Sequence, residues 1–183
     1  MAPLVVFVAS LSQFLLAATF VIIPVVGGLF GTSAQHAAEA EVVRQGLPAT
    51  LLAERRINFG ASRVSIAIAI AIGLCLATLA SLNLAGNGTG QILSWIIQSI
   101  ILVLGCVIMP GEVFVARFIE SGFAKSGDQA LRRVDVRAFV DAAANTFPAW
   151  FRHVIAARFA LATVGSLLVI ILLTFPAANA YFG

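Results

Sequence analysis

Charge is scarce in this sequence. Only 10% of its 183 residues are Asp, Glu, Lys or Arg, against 61% hydrophobic, and the mean hydropathy is +1.04. A soluble domain carries about 25% charged residues. A chain this poor in charge cannot cover a folded surface of its own with groups that water solvates, so lipid is the expected solvent. Lysine is nearly absent (Lys125 alone), and no basic run is interleaved with aromatics. The net charge of +3 therefore gives no nucleic-acid footprint; a basic excess in such a chain reports orientation and contact with anionic headgroups. The Arg-for-Lys bias and the Ala-rich spans fit a bacterial inner-membrane protein.

Cysteine is nearly missing too. Cys75 and Cys106 both fall inside apolar runs, offset in depth by roughly 7 Å at 1.5 Å per residue, which disfavours a disulfide. They are expected to be small buried packing residues. The two histidines, His36 and His153, stand in no ligand spacing, so no metal or haem site and no cofactor is expected. A nucleophile elbow, a Walker loop and a dinucleotide fingerprint are all absent, and no catalytic residue is assigned.

What the sequence does contain is four long apolar runs, over residues 4–30, 64–85, 92–111 and 159–178. Each reaches the roughly 20 residues that a helix needs to cross a hydrocarbon core. None alternates with period two, so helices rather than a barrel are expected. The fold class is all-α: one polytopic four-helix membrane domain over 1–183. No Lys or Arg precedes the first run, which is also longer than a signal-peptide core, so it is expected to be a retained span.

Every charged side chain lies in 39–63 or 112–158. The positive-inside rule places the connections 31–63 and 112–158 in the cytoplasm, with both termini and the turn over 83–91 outside. Trp95, Tyr181 and Phe182 fall at outer span ends and Trp150 and Phe151 at an inner one, as interfacial aromatics do. Gly86-Asn87-Gly88-Thr89-Gly90 follows no strand, so it reads as a tight turn and not as a phosphate cradle. Its Asn87-Gly88-Thr89 sequon lies too near the bilayer for glycosylation.

Each half of the chain runs span, charged connection, span. Val21-Ile22-Ile23-Pro24 parallels Val107-Ile108-Met109-Pro110, and Leu47-Pro48-Ala49 parallels Phe147-Pro148-Ala149. This is either a tandem pair of helical hairpins or the shared composition of Ala- and Ile-rich helices. The connections are expected to form amphipathic helices or to extend the spans. Ser126 and Gln129 fit a capping box. After them, Val136, Phe139, Val140, Ala143 and Phe147 share one face and Arg133, Arg137 and Asp141 another, as in a helix lying on headgroups or against a partner. In the first connection Val43, Leu47 and Leu51 follow a similar spacing.

Five small residues, Ser65, Ala69, Gly73, Ala77 and Ser81, recur every fourth position in the second run, and Gly27 and Gly31 form a GxxxG pair in the first. Both let a neighbouring helix approach closely, either within the chain or from another subunit or copy. Gln13 and Gln98 are amides inside spans, read as interhelical glue or as the lining of a polar path. Glu112 is the carboxylate nearest the hydrocarbon and is expected to pair with Arg63, Arg117 or Arg158. Pro24 and Pro110 stand at matching inner depths as candidate kinks. The function expected is that of a non-catalytic accessory or scaffolding subunit of a larger membrane complex. The alternative is a small oligomeric transporter or channel. The partners expected are the bilayer and other membrane subunits, or further copies of this chain.

Overall fold

The computed structural model describes residues 2–125, 131 and 134–183. Ser126, Gln129 and Arg133 lie outside the described residues. The described residues are all-helical, and four helices are long and apolar enough to cross a membrane.

Helix α1 runs from Leu4 to Arg44, α2 covers Leu51–Glu54, α3 covers Arg63–Leu84 and α4 covers Gly88–Val107. Helices α5, α6 and α7 are Pro110–Val113, Val115–Lys125 and Val136–Ala144. Helix α8 spans Phe151–Thr174, and α9 covers Pro176–Phe182. The four long helices form an up-down-up-down bundle. α1 packs on α3, α3 on α4, α4 on α8, and α8 back on α1.

The helix boundaries follow local chemistry. Ser62 caps α3 by accepting from the Ser65 amide at 3.0 Å, and Asn87 caps α4 by accepting from Thr89 at 2.9 Å. Between them Gly86 takes φ +73°, a left-handed conformation that glycine adopts without a Cβ clash. The turn is therefore only 85–87, and Asn83 and Gln91, expected in it, are helical and buried. The third span stops at Val107 rather than running to Gly111, and Pro110 opens α5 at a position where it needs no amide partner. Pro24, in contrast, lies inside the continuous α1. The two prolines thus behave differently: one starts a helix, and the other is carried within one. Phe175, held extended before Pro176, separates α8 from α9.

The charged end holds the largest departure from the sequence reading. Helix α1 continues past the apolar run to Arg44, one of the two forms expected of the connections, but both connections fold onto this extension. Ala34, Ala38 and Val42 of α1, Leu51 and Leu52 of α2, Phe123 of α6 and Val136, Phe139 and Ala143 of α7 share one core. The apolar face of α7, expected on headgroups or against a partner, is covered by the chain's own first helix. Gln45 ties the two together: its side chain donates to the Asp135 carbonyl at 3.1 Å and accepts from the Asp135 amide at 2.9 Å.

Candidate functional site

The polar side chains inside the bundle converge on its axis, in the half away from the charged connections. Gln13 on α1 donates to Ser94 Oγ on α4 at 3.0 Å, and Asn83 on α3 donates both to Gln13 Oε1 at 3.0 Å and to Ser94 Oγ at 2.8 Å. One turn of α4 deeper, Ser166 on α8 donates to Gln98 Oε1 at 2.8 Å. Near the uncharged end Gln91 donates to the Leu173 carbonyl and to Asn179 Oδ1, each at 2.8 Å, while Tyr181 donates to the Leu84 carbonyl at 2.7 Å. Ser10, Gln13, Asn83, Ser94, Gln98 and Ser166 are all buried. Buried amides and hydroxyls without partners are costly, and this network answers most of that demand. It leaves three atoms, Ser10 Oγ, Asn83 Oδ1 and Gln98 Nε2, without one.

The sequence pattern explains the convergence. Gln91, Ser94 and Gln98 stand at i, i+3 and i+7, and Ser10 and Gln13 at i and i+3, so each set occupies one helical face. On α8 the spacing alone would fail. Arg158, Ala162 and Ser166 lie four apart and would drift about 80° around an α-helix. A π-helical turn over Leu161–Gly165 absorbs that drift, and all three are buried on the bundle side. Gly105 accepts the close approach of α8 there, since a Cβ would stand 3.2 Å from Ala162 Cβ.

Below the network is an apolar layer that includes Leu16, Phe20, Leu76, Ile101 and Ala162. Beneath it, toward the charged end, Glu112 pairs with Arg158. Of the three arginines that the sequence offered Glu112, the structure pairs Arg158 with it; Arg63 and Arg117 form no ion pair with it, although Arg117 lines the same groove. The guanidinium of Arg158 also lies over the Phe20 ring, 5.7 Å from its centroid.

The other nominated residues distribute as follows. Gln13 and Gln98 do not bond each other; each has a partner that the sequence reading did not single out. Gly73 is buried against α1, with the Ala17 carbonyl 3.0 Å from where a Cβ would stand. Ala69 and Ala77 are half-buried, and Ser65 and Ser81 exposed. A stripe of period four turns about 40° per step around a helix, so its far end rotates off the contact. Gly31 meets the backbone of Gly60, and Gly27 faces Ala61. Cys75 and Cys106 are exposed free thiols rather than buried packing residues. Among the described residues no three His, Cys, Asp or Glu side chains gather as a metal site.

Ser10, Asn83, Gln91, Ser94 and Ser166 are the members that sequence reasoning missed. The i, i+3, i+7 polar stripe on the third apolar run was the available signal. A Gln13→Leu substitution is expected to cost about 1–2 kcal/mol, because it removes the acceptor of Asn83 and the donor to Ser94 together. Urea or SDS unfolding in micelles, followed by circular dichroism, measures this. An unchanged midpoint would show that the network carries no net stability. No family model, curated protein or solved structure matches this chain.

Proposed function

We propose that the chain is a multi-pass protein of the inner (plasma) membrane, with both termini outside, and that it serves as a non-catalytic accessory or scaffolding subunit of a membrane complex. One observation carries the reading: the amides inside the spans, Gln13, Asn83, Gln91 and Gln98, are all turned inward and bonded within the bundle. Several outward hydroxyls are satisfied by their own helix. Thr78 and Ser81 donate to Leu74 and Ala77, and Thr163 and Thr174 to Phe159 and Ile171. The amides bonded between helices hold those helices together. Among the residues exposed on α3, Ala67, Ala71, Cys75 and Thr78 are small and share one side, beside the larger Ile68 and Leu74. Such a side permits another span to approach closely.

A second reading, a small oligomeric transporter, rests on a different observation. Ser10 Oγ, Asn83 Oδ1 and Gln98 Nε2 are buried and unpaired along the axis, and they could serve a passing polar solute. The subunit reading expects a partner membrane protein to co-purify in mild detergent at fixed stoichiometry and an Ala71→Trp variant to lose it. It also expects liposomes holding the chain alone to show no solute flux. A chain that purifies by itself and supports a flux abolished by Gln98→Leu would replace the subunit reading with the transporter.

A further inference from the structure

At the charged end, where the spans give way to the connections, a groove of about 600 Å³ opens between the α5–α6 elbow, α7 and the first turns of α8. This volume is in the range of small-molecule sites, ~300–1,000 Å³. Its walls are largely apolar, with Phe114, Val140, Phe147, Phe151 and Ile155 among them. Five charged residues also line it, and two of these are engaged elsewhere: Glu112 by Arg158, and Arg137 by Glu120 at 3.2 Å. That leaves Arg117, Arg152 and Asp141, none with an ion-pair partner among the described residues. Arg117 and Arg152 are exposed; Arg117 also lies 5.9 Å over the Phe114 ring. Beside the groove, Phe114, Phe118 and Trp150 present large aromatic surfaces outward, Phe118 at 72% exposure. An aqueous anion site has no use for such a rim, whereas rings of this kind settle at the headgroup level of a bilayer.

From this juxtaposition we infer that the groove binds one anionic phospholipid. Its phosphate lies on Arg117 and Arg152, and the upper part of an acyl chain lies along the apolar wall. Charge complementarity selects the headgroup. Two guanidinium groups and one carboxylate leave a site of net +1, which a lipid of charge −1 neutralises. Asp141, exposed at the groove, can accept from the hydroxyls of a glycerol headgroup, so phosphatidylglycerol fits all three side chains. Basic pockets between helices at the cytoplasmic face bind acidic headgroups in this way. The inference requires the four helices to lie in a bilayer, but it holds whether or not the chain has a partner subunit.

The test is native mass spectrometry of the intact chain released from nanodiscs of equal phosphatidylglycerol and phosphatidylethanolamine. One phosphatidylglycerol per chain is expected to be retained. Arg117→Gln/Arg152→Gln is expected to weaken retention roughly thirtyfold, while the control Arg56→Gln/Arg63→Gln, with the same loss of charge outside the groove, leaves it unchanged. Ala144→Trp fills the apolar part of the groove with both arginines intact and is expected to abolish retention as well. Equal retention of the two lipids would overturn the inference. So would an equal loss in the control, displacement of the lipid by millimolar inorganic phosphate, or full retention by Ala144→Trp.

Discussion

Replacing Glu112 by glutamine is expected to destabilise the folded chain by about 3 kcal/mol, the cost of leaving a buried ion without its partner. The reverse change, Arg158→Gln, is expected to cost only about 1 kcal/mol. The difference comes from the unequal burial of the two side chains. That of Arg158 is 9% exposed and that of Glu112 is 45% exposed. A carboxylate left alone at Glu112 can turn to water. A guanidinium left alone at Arg158 cannot, because the Phe20 ring and the apolar layer hold it, and its Nε already has no partner. The double variant removes both charges and should be more stable than Glu112→Gln alone, giving a coupling of about 1–2 kcal/mol. Denaturant titrations of the three variants in one detergent, read by the fluorescence of Trp95 and Trp150, measure the cycle. Equal losses for the two single variants would mean that the pair is solvated from both sides.

The same residues show how far the sequence could be read. Four apolar runs and two charged windows suffice for the bundle, because hydrocarbon-length helices depend on composition and length, which any window exposes. Gln13, Gln98 and Glu112 stand out for the same reason: a polar group within or beside an apolar run is conspicuous. Their partners are not. Ser94 and Ser166 resemble the serines that merely back-bond to their own helix, and only the packing of α4 against α1 and α8 separates the two kinds. Asn83 looked like a turn residue because asparagine and glycine cluster there, but the chain reverses within 85–87 and Asn83 stays on α3. The π turn over Leu161–Gly165 has no residue signature, yet it decides which side of α8 faces Gln98. The connections were hardest to foresee. An amphipathic face declares that something covers it without declaring what, and here the cover is α1 itself, continuing to Arg44 past any boundary that hydropathy could set.

The two glycines of the GxxxG pair are expected to respond in opposite directions to the same substitution. A Cβ at Gly31 would stand 2.5 Å from Gly60 Cα and 3.3 Å from both Gly60 N and the Phe59 carbonyl oxygen. All three are backbone atoms of the segment that leads into α3, and Phe59 is itself fixed by its amide donating to Gln35 Oε1 at 3.1 Å. Backbone held from both ends cannot swing aside as a side chain can. Gly31→Ala should therefore force α1 and this segment apart, at about 2 kcal/mol. At Gly27 the added Cβ would meet Ala61 Cβ at 3.5 Å, an ordinary contact. Gly27→Ala gains helix propensity without a clash and is expected to stabilise by about 0.5–1 kcal/mol. Gly60→Ala separates a local clash from a general intolerance of bulk, because its Cβ would point clear of Gly31, with the nearest atom of that residue 3.8 Å away. Its only tight neighbour is the Asn58 side chain at 3.2 Å, so a loss under about 1 kcal/mol is expected. Thermal unfolding of the three variants in one micelle decides the matter. If Gly31→Ala were as stable as Gly27→Ala, α1 could not lie against this segment as closely as described.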